Sequence, residues 1–336
     1  MKIYNHIDEF QKLKNAVVTI GTFDGVHIGH QKIIARLQEV ARQTGGETVI
    51  LTFFPHPRMI LHPEDVNIKL ITTMKEKAEL LEKLGIDHLI ITPFTRDFSN
   101  LSPQEYIKNI LVDKIGTSQI VMGYDHRFGK DREGGLEYLQ KLGPVYGYEI
   151  EEIPEQDIHD MAVSSTKIRS SLLSGDVDMA SDFLGHPFHL TGKVIKGDQI
   201  GRQLGYPTAN LFIEETYKLI PSDGIYAVTV EVEGSELKVE SGELNRDEFS
   251  GVNPKSQVSN LKSLKKGMAY IGHRPTINGM SRNIEVNIFD FNSDIYKQTI
   301  RLYFHHFIRE DQRFVSLEEL KLQISRDEID AKQLLQ

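Results

Sequence analysis

The sequence predicts two domains of different class, α/β plus β: a doubly wound α/β domain over residues 1–184, then a compact β-barrel with a closing helix over 185–336. Three observations carry this expectation. Strand and helix signals alternate from residue 16 to about 184, the pattern of a parallel sheet covered by helices. After Phe188 the period becomes that of strands broken by glycine-rich turns. A chain of 336 residues can also bury two separate cores.

In chain order, Ala16–Ile20 is an apolar strand, and a helical pattern runs from Gln31 with Ile33, Ile34, Leu37, Val40 and Ala41 on one stripe. Gly45-Gly46 can end that helix. Residues 48–54 form a continuous apolar run suited to a buried parallel strand. Thr73-Met-Lys-Glu76 and Ser102-Pro103-Gln-Glu105 read as capping boxes. Residues 86–91 and 119–122 supply further strands, and 177–184 a last short helix broken by Gly185-His-Pro187. In the second half, Tyr226, Val228, Val230 and Val232 share a face, as do Ile284, Val286 and Ile288, and Ile300, Leu302 and Phe304. Ser316-Leu-Glu-Glu319 reads as a capping box for the closing helix, with Leu317, Leu320 and Ile324 as its contact with the barrel. Residues 231–266, rich in acid, Gly, Ser and Asn, read as a solvated insertion.

Composition narrows the functions. The hydrophobic share is 39% and the charged share 26%, as in globular proteins. A net charge of −9 predicts no general affinity for nucleic acid or anionic membrane. No cysteine is present, which excludes disulfides and thiolate catalysis and fits a reducing cytoplasm. Residues 1–6 do not read as a signal peptide, and no apolar run reaches spanning length.

The chemistry of the first half centres on Gly21-Thr-Phe23-Asp24-Gly-Val-His27-Ile-Gly-His30. It leaves a strand's carboxyl end and opens a helix, the layout that aims backbone N–H groups at phosphate. An imidazolium here would stabilise charge on a transferring phosphoryl group. It is not a P-loop, because the Gly-Lys-Ser/Thr ending is missing. Three further stretches belong to the same sheet edge: Pro55-His56-Pro57-Arg58, Gly123-Tyr-Asp125-His126-Arg127-Phe128-Gly129, and Val163-Ser164-Ser165-Thr166-Lys-Ile-Arg169. Taken singly, these are a rigid turn, a loop, and a helix cap with an arginine available to phosphate. Taken together, they resemble the FMN adenylyltransferase module of bacterial bifunctional riboflavin kinase/FAD synthetases, whose HxGH, PHP, G-x-(D/N)-F-R-F-G and (I/V)-S-S-T-x-I-R motifs occur in this order. By that resemblance His27 and His30 are catalytic. Gly21, Phe23, Asp24, His56, Asp125, Arg127, Ser164, Ser165, Thr166 and Arg169 bind nucleotide or flavin. His126 departs from the family's usual phenylalanine.

In the second half the chemistry gathers in Thr191–Leu211, which contains Gly197, Gly201-Arg202-Gln-Leu-Gly205-Tyr-Pro207-Thr208-Ala209-Asn210. Its glycines can wrap phosphate through backbone N–H groups. Thr208 and Asn210, two apart, point the same way on a strand and together suit a hard cation such as Mg2+. On spacing alone, hairpin glycines and a solvent-facing polar pair explain the same residues. The stretch resembles the G-x-x-x-G-R-x-L-G-x-P-T-A-N-L signature of riboflavin kinase, and Arg274-Pro275-Thr276 and Ile284-Glu285-Val286 resemble its later motifs. That resemblance implies Gly197, Arg202, Gly205 and Pro207 as ligand contacts and Thr208 and Asn210 as metal ligands. It makes Glu285 the base that takes the ribityl 5′-hydroxyl proton. Glu285 lies on the strand face opposite the apolar Ile284, Val286 and Ile288, so it need not be a buried unpaired charge. Tyr270, Asn287 and the 231–266 insertion depart from the family pattern.

The expected ligands are therefore riboflavin, FMN, FAD, ATP and Mg2+, with no nucleic-acid or membrane partner. The rival readings are another HxGH transferase with an unrelated barrel, and a flavin-binding protein without turnover.

Overall fold

The computed structural model describes residues 1–65, 68–123, 126–153, 163–197, 200–233, 264–276 and 279–336. Asp125 and nearly all of the predicted insertion lie outside these residues. The chain divides into two compact units. The first is Met1–Ser170 with Phe183–Gly185 and Tyr217–Leu219; the second is Ser171–Asp182, His186–Thr216 and Ile220–Gln336.

The first unit is built on six parallel strands: β1 (Lys2–Tyr4), β2 (Ala16–Ile20), β3 (Glu47–Phe53), β4 (His88–Thr92), β5 (Thr117–Gly123) and β6 (Glu149–Ile153). Their order across the sheet is β1-β4-β3-β2-β5-β6. Every residue of β2 is buried. Its alternation splits the two faces: Ala16, Val18 and Ile20 enter one core cluster and Val17 the other. Helix α1 (Ile28–Thr44) covers the second face with Ile34, Leu37, Val40 and Ala41, and ends at Gly45 in the left-handed region. A short helix α2 (Pro57–Leu61) follows β3, and helix α3 (Met74–Lys83) carries the predicted Thr73–Glu76 capping box. The strand order reverses between β2 and β5, and the turn after β2 opens at that switch point, where this fold class binds ligands.

The second unit is a closed barrel of β7 (Phe188–Ile195), β8 (Ala209–Phe212), β9 (Gly224–Val232), β10 (Lys265–Thr276), β11 (Gly279–Ile288) and β12 (Thr299–Arg309), in the order β10-β11-β8-β7-β12-β9. All its pairings are antiparallel. The three predicted apolar faces are buried. The closing helix spans Leu317–Leu334, and here two expectations change. Leu317 is 61% exposed rather than packed on the barrel. The inward stripe begins one turn later and runs Leu320, Ile324, Asp327, Ala331, with the last two buried. The capping box is half formed: Ser316 accepts from Glu319 N–H, but the Glu319 carboxylate takes the N–H of Val315 instead of Ser316.

Candidate active sites

In the first unit the Gly21–His30 turn is tight and strained. Phe23 and Val26 both sit at positive φ, +46° and +44°, with Gly25 between them at +85°. A side chain at Gly25 would press on Ile71 and Leu184 within about 3.2 Å, so this position needs glycine for space as well as for φ. The turn delivers His27 as the N-cap of α1, where its Nδ1 accepts from His30 N–H at 3.4 Å. The two imidazoles stack with centroids 3.6 Å apart, and Phe23 packs against His30.

Burial runs against the imidazolium expectation. Burial, partly offset by Asp24, pushes His27 down to about 4. Burial, then His27 and Lys77, holds His30 well below the usual histidine range. Near neutral pH both rings are neutral and present hydrogen-bonding groups rather than cations. His30 Nδ1 is buried with no hydrogen-bond partner among the described residues.

Asp24 is the centre of the turn. Its carboxylate, 1% exposed, accepts from Ile71 N–H, Thr72 N–H, the Thr72 hydroxyl and Arg169 Nη2, the last at 2.6 Å. Arg169 Nε also donates to Lys69 O. Arg169 is therefore held in place by Asp24, the ion pair that is the ordinary reading of a lone arginine. Ser165 donates to the Asp24 carbonyl, Ser164 caps its helix through Lys167 N–H, and Thr166 is exposed. His56 caps α2 through Arg58 N–H, and burial lowers it to about 4 while it feels Asp24, Arg169 and Lys77. Gly21, Phe23, Asp24, His27, His30, His56, Ser165 and Arg169 thus form one neighbourhood. Arg127 is exposed and packs on Gly135, and the described contacts do not bring it there.

Lys77 is a member of this site that sequence reading missed. Its ammonium is buried and donates to Thr22 O at 2.6 Å; burial brings it down to about 8, against the pull of Asp24. The available signal was its place one helical turn after the Thr73 cap, on the side that faces the glycine turn.

In the second unit β11 sets Glu285 opposite Asn210 of β8. The Glu285 carboxylate accepts from the Thr208 hydroxyl at 2.9 Å and from Asn283 Nδ2 at 2.6 Å. It is only 9% exposed, and these hydrogen bonds keep it from being a buried unpaired group. A side chain at Gly197 would collide with the Asn210 amide, and one at Gly201 with Tyr206 O. Glycine at both positions leaves room for the Asn210 amide and for Tyr206 O beside Thr208. Asn287 Nδ2 donates to Pro207 O and holds the same turn from β11. Arg202, Gly205 and Pro207 are exposed. Gly205 turns the chain at φ +91°.

Glu285 and Thr208 line a cavity of about 290 Å³, walled by apolar Met268, Ile225, Leu320 and Ile324. Tyr270 closes one side and donates to Asp311. Arg309 and Asp327 also line it, joined by a fork of two hydrogen bonds at 2.8 and 2.7 Å. Asp327 was not legible as a site residue, because it interrupts an apolar stripe and reads as helix surface.

Comparison with known proteins divides the chain in two. The FAD synthetase family model matches residues 9–167, and the riboflavin kinase family model matches residues 184–335. A bifunctional riboflavin kinase/FMN adenylyltransferase from Pseudomonas fluorescens is 34% identical over 96% of this chain and 93% of its own length. One from Listeria monocytogenes is 34% identical over 95% of this chain and 92% of its own. A crystal structure described as a macrolide-efflux protein from Streptococcus pneumoniae superposes with a TM-score of 0.82 at 29% identity, covering 98% of both chains. Among the described residues of this chain, no helix is long and apolar enough to cross a membrane.

Proposed function

This chain belongs to the family of bifunctional riboflavin kinase/FMN adenylyltransferases, and from that premise we propose which residues carry each reaction. The enzyme phosphorylates riboflavin with ATP to FMN, then transfers AMP from a second ATP to FMN, giving FAD and pyrophosphate. The catalytic modules are 1–184 for adenylylation and 185–336 for phosphorylation.

For the kinase step, Glu285 accepts the proton of the ribityl 5′-hydroxyl as its oxygen attacks the γ-phosphorus of ATP and ADP leaves. The hydrogen bonds from Thr208 and Asn283 support this role, because they fix the carboxylate at the wall of the cavity. This held carboxylate is the observation that carries the reading. Thr208 and Asn210 offer a hydroxyl and an amide oxygen, a hard donor set that fits Mg2+, and the Gly197 cradle brings phosphate-binding backbone beside them. Among the described residues no three His, Cys, Asp or Glu gather as a metal cage, and Mg2+ shared with substrate phosphates needs none. Held by Thr208 and Asn210, such an ion would supply charge neutralisation for the ATP phosphates. Gly197, Arg202, Gly205 and Pro207 form the loop that meets those phosphates.

For adenylylation, a phosphate oxygen of FMN attacks the α-phosphorus of ATP, and the bond to the β-phosphate oxygen breaks. That nucleophile is already ionised, so no base is required. His27 and His30 donate N–H groups to charge developing on the phosphoryl oxygens. Gly21 and Phe23 let the backbone approach, while Asp24, Arg169, Ser165 and His56 shape the turn. The family resemblance adds Ser164, Thr166, Asp125 and Arg127 as ligand contacts, the last from outside this neighbourhood.

Incubating the protein with riboflavin, ATP and Mg2+ and separating the products by chromatography should show FMN first and FAD after it. Tight riboflavin binding without either product would identify a flavin-binding protein that has lost turnover.

A further inference from the structure

Three residues from the second half of the sequence, Tyr217–Leu219, belong to the first compact unit. They lie beside Leu70 as a short parallel pairing. Leu70 N–H donates to Tyr217 O, and Leu219 N–H donates to Leu70 O, at 2.7 and 2.8 Å. Between them Lys218 enters the interior. Its side chain is 1% exposed, and its ammonium donates to Glu76 Oε2 and to Ile71 O, both at 2.6 Å.

The partners connect this ammonium to the histidine turn. Glu76 Oε2 also accepts from Thr73 N–H in the capping box of α3. Ile71 N–H and Thr72 N–H donate to the Asp24 carboxylate, which holds Arg169. Lys218 therefore grips, through Ile71 O and Glu76, both ends of the segment whose amides anchor Asp24. A buried ion pair is weak evidence for stability, since desolvating the two charges offsets most of their attraction. Its firmer consequence is geometric: two short charged contacts fix where Ile71–Thr73 lies.

We propose that Lys218, which falls within the riboflavin kinase family match, is a positioning residue of the adenylyl-transfer site. It acts through Ile71 and Asp24 on the turn that presents His27 and His30. FAD synthesis then depends on a residue outside the FAD synthetase match, while FMN synthesis does not use it. The proposal rests on the adenylyltransferase reading of that turn.

The test uses the full-length protein and two variants, Lys218→Met and the pair Lys218→Met with Glu76→Gln. For each, kcat and KM are measured for FMN adenylylation and for riboflavin phosphorylation, together with the thermal midpoint. In Lys218→Met, kcat for adenylylation should fall on the order of 10- to 100-fold, the scale of a displacement near 1 Å. Riboflavin phosphorylation should keep its constants. The double variant removes the stranded Glu76 charge, so its thermal midpoint should return toward wild type. Its adenylylation should stay low, because Ile71 O still lacks its donor. Recovery of adenylylation together with the midpoint would reduce Lys218 to a structural ion pair and overturn the proposal. Wild-type adenylylation in Lys218→Met, or equal loss of both activities in both variants, would overturn it as well. A wild-type protein that makes no FAD from supplied FMN would instead bring down the adenylyltransferase reading itself.

Discussion

In the reading proposed above, the two sites meet phosphoryl chemistry in opposite electrostatic ways. In the first unit the proposed catalytic histidines come from one short stretch, and burial keeps both uncharged near neutral pH. In the second unit the central group is a carboxylate, drawn from a strand and held by groups on a neighbouring loop and on its own strand. The nucleophiles explain the difference. A flavin phosphate arrives ionised and needs only donors for the charge that builds on the phosphoryl oxygens. A ribityl hydroxyl must lose a proton, and only a placed base can take it.

The sharpest way to break this comparison is Glu285→Gln. The variant keeps size and shape but cannot take the proton, so FMN formation should fall by roughly 10²–10⁴. Riboflavin affinity should change little, and FAD formation from supplied FMN should be untouched. All three are measurable on one preparation, and near-normal riboflavin turnover would remove Glu285 from the mechanism. His30→Ala probes the other side. FAD formation should drop roughly 10²–10³, the usual worth of one phosphoryl-oxygen donor, with FMN formation near wild type. Equal loss of both would mean that the His27–His30 stack serves folding alone.

Much of this was legible in the chain because it depends on neighbours in sequence. The strand at Ala16–Ile20 and the helix at Val177–Leu184 have the bounds their patterns predicted. The Thr73 and Ser102 capping boxes formed as read, being three-residue events. What was missed depended on distant partners. Arg169 read as available to phosphate or as a surface ion pair, because its partner Asp24 lies 145 positions earlier. Lys77 carries only the weak signal of its place after the Thr73 cap, and Lys218 carries no local signal at all, since its partners Ile71 and Glu76 lie more than 140 positions earlier. Leu317 misled for a different reason: the apolar pattern admits two rotations of the closing helix, and the buried Asp327 decides between them.

That acid allows a test confined to the second unit. Asp327 accepts both arms of the Arg309 fork and a bond from Gln323. Asp327→Asn leaves a mostly buried guanidinium without its counter-charge. Unfolding free energy should fall by about 3 kcal/mol, the low end for a broken buried pair because Arg309 keeps some solvent contact. The riboflavin KM should rise, since both residues line the cavity. Denaturant unfolding monitored beside FMN adenylylation should show the second activity unaffected while the protein remains folded. A change in adenylylation alone would mean that the fork is not part of the kinase site.

The smallest expected effect sharpens the claim that the first site works uncharged. His27 and His56 are held near 4 when folded, against an ordinary value of 6.5. Above pH 6.5 both are neutral in the folded and unfolded chain alike, so neither makes stability depend on pH. As pH falls below 6.5, the unfolded chain takes up their protons first. It then binds more protons than the folded protein, and stability declines with falling pH, by about 1.4 kcal/mol per unit for each histidine. The decline from these groups ends near pH 4, where the folded protein protonates them too. Carboxylates add their own acid dependence, so the informative quantity is a difference. His27→Asn keeps a side-chain oxygen able to cap α1 and removes one titrating group. Unfolding free energies measured from pH 7 to pH 4 should show a shallower slope in the variant than in wild type, by about that one-histidine amount. Parallel slopes would mean that His27 takes its proton without resistance in the folded protein. His27 would then titrate near the ordinary histidine value, in the range where proton uptake competes with its neutral form, and the claim that burial keeps the first site uncharged would fall.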